Sequence, residues 1–189
     1  MKKMLLFIAL TVSMAVSVSA QGRFDYDPTF KYGPFSNCEI TATVHYAFQH
    51  ASNVGVDVMV VKDLDEDWNL RLVGGINGLV PVRGFDRYGF ALVGLSYEFV
   101  PWLYGYLDAG ASVNPSMKTV LGFAADAGVG AQYVLGTRWK LLTELGCNFA
   151  ENHTTWLYTP ICKVGAAFKL GCTEKDRIRH DIYKYQLNH

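Results

Sequence analysis

From residue 38 onward, apolar side chains alternate with small or polar ones in eight successive segments. A period of two places the two sets of side chains on opposite faces of a β-strand. No apolar stretch after residue 20 is long enough to cross a membrane as a helix. The alternation therefore predicts an all-β fold, with strands at residues 38–49, 54–62, 68–77, 88–99, 102–113, 119–134, 138–150 and 155–170.

The two faces of these strands differ in composition. In the sixth segment, Leu121, Phe123 and Val129 share one face, and Asp126 and Gly128 share the other. The second face is mostly Gly, Ala, Ser and Thr, with few charged residues. Such a sparse charged row suits a narrow lumen, where ions must find partners, and the apolar row then faces lipid. Alternation alone also permits a soluble barrel, whose apolar row would face inward.

The fourth segment departs from this pattern. Phe90 and Leu92 share the parity of the inward residues Gly94, Ser96 and Glu98. We therefore expect a β-bulge or a late start of this strand.

Aromatic residues of the apolar row concentrate at the two ends of the predicted strands. If the first strand rises from the periplasm, the lower group is Trp68, Tyr97, Phe99, Tyr133, Trp139 and Phe168, and the upper group is Tyr46, Phe48, Phe123, Phe149, Trp156 and Tyr158. Two aromatic belts at interface height are typical of a lipid-facing barrel surface.

The N-terminus has the pattern of an export signal. Lys2 and Lys3 precede an apolar run at 4–16, and Val18 and Ala20 are small residues at the −3 and −1 positions of a cleavage site. The apolar run is too short for a membrane-spanning helix. The sequence thus predicts a signal peptide at 1–20, an N-terminal linker at 21–37, the barrel at 38–170 and a periplasmic C-terminal tail at 171–189.

The strand rhythm resembles that of the small OmpA/OmpX-type outer-membrane barrels, including the Bacteroidetes-type β-barrel domain. The tight turn within YEFVPWLYGYL at 97–107 and the last strand, KVGAAFKL at 163–170, carry this resemblance. Gly165, Phe168 and Leu170 occupy the small and hydrophobic positions of the family's assembly signal. The resemblance implies an eight-stranded antiparallel up-and-down transmembrane β-barrel in the outer membrane, inserted by the barrel assembly machinery.

The inward row supplies the candidate site. We expect a polar network of salt bridges and hydrogen bonds that fills the lumen, because an eight-stranded barrel is only wide enough inside for side chains. Its residues are Glu39, His45, Asp57, Arg71, Glu98, Asp108, Asp126, Glu144 and Lys163.

The four cysteines suit an oxidising compartment. Cys38 opens the first strand and Cys172 lies just past the last, and these strands are neighbours in a closed barrel. We predict a Cys38–Cys172 disulfide across this seam. No CxxC occurs and the Cys and His spacing fits no zinc template, so we expect neither metal nor cofactor.

The formal net charge of zero argues against a nucleic-acid partner, which requires a basic face. We expect a non-enzymatic integral outer-membrane protein in contact with lipid, serving envelope integrity, adhesion or surface interaction. The alternatives are a narrow, porin-like channel for ions or small apolar molecules and a soluble periplasmic ligand-binding barrel. The sequence also permits a periplasmic or surface partner and does not identify it.

Overall fold

The computed structural model describes residues 38–48, 53–65, 67–80, 88–113, 121–135, 138–152 and 155–170. These residues form β1 (Cys38–Ala47), β2 (Asn53–Asp63), β3 (Trp68–Asn77), β4 (Tyr88–Val100), β5 (Leu103–Val113), β6 (Leu121–Val134), β7 (Trp139–Asn152) and β8 (Thr155–Lys169). The predicted signal peptide at 1–20, linker at 21–37 and tail at 171–189 lie outside the described residues. Within the described ranges, no helix is long and apolar enough to cross a membrane.

Each strand pairs antiparallel with its neighbours in sequence, and β1 also pairs with β8, so the sheet closes into a barrel. The predicted all-β fold with eight antiparallel strands is confirmed. Strand limits agree with the predicted ones to within two residues. Below, the lower end of the barrel is the end at which β1 begins, and the upper end is the end at which β1 stops.

The stagger of the strands sets the width of the barrel. The stagger is found by starting at Cys38 and moving from each residue to its paired residue on the next strand. This path passes through Lys62 on β2 and reaches Pro160 on β8. The Pro160 carbonyl accepts a hydrogen bond from the Phe48 amide at 2.8 Å. One full turn around the barrel therefore ends at position 48 of the chain instead of position 38, a stagger of ten residues. With strands about 4.8 Å apart and a rise of about 3.3 Å per residue, this stagger corresponds to a tilt of about 40° and a backbone radius of about 8 Å.

Side chains alternate between the two faces as predicted, with apolar residues outside and polar ones inside. On β1, Thr41, Thr43 and His45 are buried inside, whereas Ile40 and Val44 are exposed. The expectation for β4 is wrong. Its register with β3 runs without interruption from Tyr88 to Tyr97 and its register with β5 from Gly89 to Glu98, and the irregularity lies between Glu98 and Val100.

Phe90 and Leu92 lie in the upper lumen, 7% and 4% exposed. Phe90 fits there because Gly75, on the neighbouring strand, has no side chain: a Cβ at Gly75 would overlap the Phe90 ring. Other apolar side chains, among them Met59, Val73 and Leu142, are also buried inside, so the lumen is not uniformly polar, which a rule of polar residues inside does not anticipate.

Candidate functional site

Arg71, on β3, is the first of two buried cations at the centre of the lumen. Its Nε donates to both carboxylate oxygens of Asp108 at 3.2 Å, and its Nη1 donates to Glu144 Oε1 at 2.8 Å. Arg71 is 1% exposed, and both carboxylates are fully buried. Because Asp108 lies on β5 and Glu144 on β7, this one side chain connects three strands that are not adjacent.

Lys163, on β8, is the second cation. Its Nζ lies 2.5 Å from Asp126 Oδ2, 3.3 Å from Asp57 Oδ2 and 3.7 Å from Glu144 Oε2. Lys163 therefore contacts carboxylates of β2, β6 and β7. A buried ammonium surrounded by three carboxylates replaces its lost hydration with charge-assisted contacts.

His45 extends this cluster towards the upper end. Its Nδ1 lies 2.9 Å from Asp57 Oδ1, while Thr43 Oγ1 donates to Asp57 Oδ2 at 3.3 Å. The backbone beside the ring is glycine for a steric reason: a Cβ at Gly55 would overlap the imidazole. Asp57 thus interacts with His45, Thr43 and Lys163 together.

Two tyrosines of β5 complete the cluster. Tyr104 donates to Glu144 Oε1 at 2.8 Å, and Tyr106 donates to Asp126 Oδ1 at 3.3 Å. The Arg71 guanidinium carbon lies 4.3 Å from the centre of the Tyr106 ring, within the range of a cation–π contact. Sequence reasoning missed these tyrosines, although both share the inward parity of Asp108.

The lower end of the lumen holds smaller contacts. Lys140 Nζ lies 2.7 Å from Glu39 Oε2, and Asn69 Nδ2 donates to Glu98 Oε1 at 3.2 Å. The structure thus places all nine residues of the expected network on the lumen side. Seven of them form the central cluster, and Glu39 and Glu98 lie below it.

Tyr88 crosses the upper lumen. Its hydroxyl accepts a hydrogen bond from Asn77 Nδ2 at 2.8 Å on β3 and donates to Asn148 Oδ1 at 3.0 Å on β7. Tyr88 belongs to β4, so its side chain links its own strand to one on the far side of the barrel. Together with Phe90, it covers the ionic cluster from above.

The outer surface is apolar along its middle. Leu107, Leu145 and Val58 are 64%, 56% and 56% exposed. Aromatic rings pair near the strand ends: Trp139 with Phe168 at 5.0 Å and Trp68 with Tyr97 at 5.0 Å at the lower end, Phe149 with Tyr158 at 5.2 Å and Tyr46 with Phe48 at 4.9 Å at the upper end.

The two groups of aromatic pairs define a band. Trp139 and Phe149 lie ten residues apart on β7. At a rise of about 3.3 Å per residue and a tilt of about 40°, this separation corresponds to about 25 Å along the barrel axis. A height of about 25 Å is that of the apolar band of transmembrane barrels.

The cysteine prediction is only partly within the described residues. Cys38 forms no disulfide with a described residue, and its carbonyl accepts a hydrogen bond from the Leu170 amide at 2.9 Å. Cys172 lies outside the described residues, so the Cys38–Cys172 disulfide stays a prediction. In the part of the chain that the structure describes, no group of three His, Cys, Asp or Glu side chains is arranged to hold a metal ion.

Solved structures with a similar fold were found. The chain is similar to the N-terminal β-barrel domain of Pseudomonas aeruginosa OprF, with 17% identity, a TM-score of 0.51 and coverage of 70% of this chain and 97% of that one. It is also similar to Neisserial surface protein A, with 11% identity, a TM-score of 0.49 and coverage of 70% and 96%. A de novo designed transmembrane β-barrel matches with 18% identity, a TM-score of 0.46 and coverage of 74% and 99%.

No family model matches the chain, and no curated protein matches it. At these identities the likeness concerns the fold alone. The eight-stranded closed antiparallel barrel of this chain is therefore similar in fold to the β-barrel of the OprF N-terminal domain.

Proposed function

We propose that this protein is an integral outer-membrane β-barrel whose lumen is closed by the ionic cluster, and that it is not an enzyme. The observation that carries the proposal is the exposed apolar band between two sets of paired aromatic rings. A water-soluble monomer rarely exposes such a continuous apolar surface. In a bilayer, the same surface meets lipid tails and the aromatic pairs meet the headgroups.

The distribution of charge supports the same proposal. Arg71 and Lys163, with the carboxylates that they contact, lie inside the barrel, whereas a soluble ligand-binding barrel would hold apolar side chains there and charges outside. Every strand is paired on both sides, so the backbone N–H and C=O groups along the band need no hydrogen bonds to water.

Because the lumen is closed, we assign the proposed role to the outside of the barrel. The cation–carboxylate contacts span the lumen at mid-height, and Tyr88 crosses above them. We therefore assign a role in envelope integrity, adhesion or surface interaction, with lipid and the barrel assembly machinery as partners. A narrow channel is the competing function, and it requires an ion or a small molecule to pass between these side chains.

Membrane fractionation of the full chain tests membrane insertion. We expect the protein to sediment with outer membranes, to resist carbonate extraction and to migrate differently on gels before and after heating. Recovery in the soluble periplasmic fraction would support the ligand-binding barrel instead.

Planar bilayers test the closed lumen. The inserted protein should stay electrically silent, whereas steady single-channel steps would favour the channel. An Arg71→Ala variant serves as the comparison, because it removes the guanidinium between Asp108 and Glu144 and should raise conductance if the cluster is the barrier.

A further inference from the structure

Three buried polar atoms on the lower side of the central cluster have no hydrogen-bond partner among the described residues. They are Thr41 Oγ1 on β1, and Asn69 Oδ1 and Arg71 Nη2 on β3. Thr41, Asn69 and Arg71 are 0%, 5% and 1% exposed. A buried polar atom without a partner costs free energy, so three such atoms in one region call for a common ligand.

The three residues line the same cavity. Its volume is about 20 Å³, and its wall also includes Met59 and Leu142. A cavity holds a water molecule once it reaches about 10–15 Å³, provided that the water finds two to four polar partners. The volume is therefore sufficient for a water molecule.

We propose that this cavity is a binding site for one internal water molecule held by Thr41, Asn69 and Arg71. The donor and acceptor pattern matches water. Arg71 Nη2 can only donate, Asn69 Oδ1 can only accept, and Thr41 Oγ1 does either. A water that accepts from Arg71 and donates to Asn69 still has capacity for the threonine hydroxyl.

The site explains why polar side chains occur at these positions. Arg71 already contacts Asp108 and Glu144 through Nε and Nη1, and the water provides a partner for its third nitrogen. Asn69 already donates to Glu98 through Nδ2, and the water satisfies its oxygen. The bound water thus joins the lower contacts of the lumen to the central cluster.

The experiment compares Thr41→Val with Thr43→Val. Both remove one inward hydroxyl from β1 at nearly constant shape, but Thr43 bonds to Asp57 and does not line the cavity. A high-resolution crystal structure of the wild-type protein should show a water within hydrogen-bond distance of all three atoms. Oxygen-17 relaxation dispersion should lose the contribution of one long-lived water in Thr41→Val and keep it in Thr43→Val.

Stability gives an independent readout. If the hydroxyl of Thr41 is bonded to water, Thr41→Val lowers the unfolding midpoint. If the hydroxyl has no partner, its removal raises the midpoint, because an unsatisfied buried group has been deleted. The proposal is overturned by a crystal structure without water at these atoms, by an unchanged relaxation signal in Thr41→Val, or by a raised midpoint.

Discussion

Asp108 and Asp126 lie directly opposite each other in the β5–β6 ladder, and each is contacted by a cation from a different, distant strand. Arg71 reaches Asp108 from β3, and Lys163 reaches Asp126 from β8. Like charges directly opposite each other destabilise an antiparallel pair. The stability of this hairpin therefore depends on side chains from elsewhere around the barrel.

Lys163→Met should be strongly destabilising. The change removes the cation that Asp126, Asp57 and Glu144 share. Removing one partner of a buried ion pair costs about 3–5 kcal/mol of folding stability. Denaturant unfolding of the refolded barrel measures the loss. Lys62→Met, at an exposed position of β2, is the matched control and should change stability little. Equal effects of the two variants would refute a structural role for the cluster.

Gly130→Ala should destabilise the barrel through overpacking. A Cβ at Gly130 would overlap the ring of Tyr104, whose hydroxyl donates to Glu144, and overpacking costs about 1–3 kcal/mol. Gly74→Ala is the control, because its Cβ would meet only the Phe90 carbonyl oxygen at 4.0 Å. That variant should be neutral or more stable by about 0.4–1 kcal/mol. Thermal or urea unfolding of both variants decides between these outcomes.

Tyr88→Phe should weaken the upper closure of the lumen. The substitution removes the hydroxyl that bonds to Asn77 and Asn148 and leaves both amides short of a partner, at a cost of about 1–3 kcal/mol. Tyr158→Phe removes a hydroxyl from the exposed outer face and should cost less. Amide hydrogen exchange near the upper ends of β3 and β7 should accelerate in Tyr88→Phe only. Unchanged exchange there would contradict a bridging role for Tyr88.

Leu107→Arg tests whether the apolar band faces lipid. By its register, Leu107 lies about midway between the two aromatic belts, where Arg costs about 2–4 kcal/mol in a bilayer. Leu121→Arg introduces the same charge at the upper end of β6, where the cost falls to about 0–1 kcal/mol. Folding into lipid vesicles should separate the two variants. In a soluble barrel, both exposed leucines would accept arginine equally.

Oxidation should join Cys38 to Cys172. The bond from the Leu170 amide to the Cys38 carbonyl brings the chain to within two residues of Cys172 at the β1–β8 seam. Peptide mapping under non-reducing conditions should recover the linked pair, and Cys38→Ser should abolish it. Two free thiols in protein isolated from an oxidising compartment would exclude the bond.

The sequence predicts most of this fold because, in a closed barrel, odd and even positions of a strand face opposite sides, one outward and one towards the lumen. Once strands alternate, each residue is assigned to the outer face or to the lumen, and for this reason Arg71 and Lys163 could be placed inside without coordinates. The same parity rule misled the interpretation of β4, because it assumed a uniformly polar lumen. Phe90 lies inside because Gly75, on the neighbouring strand, leaves room for its ring. This match of a large and a small residue involves two strands, so the alternation within one strand does not reveal it.

The partners within the lumen could not be predicted. Which carboxylate Arg71 contacts depends on the stagger of the strands, and the stagger depends on registers that alternation does not fix. Tyr104 and Tyr106 were missed for a related reason: a tyrosine suits either the lumen or an aromatic belt. Their shared parity with Asp108 assigns both to the lumen, where the structure places them.

The ladder order also has a kinetic consequence. Seven of the eight ladders join strands that are consecutive in sequence, so each can form as a local hairpin. The pairing of β1 with β8 alone joins the two ends of the barrel, and the entropy of closing the whole chain falls on that single step. Until it occurs, the chain is an open sheet with two unpaired edges, and Lys163 on β8 stays separated from Asp57 on β2, its partner across the seam.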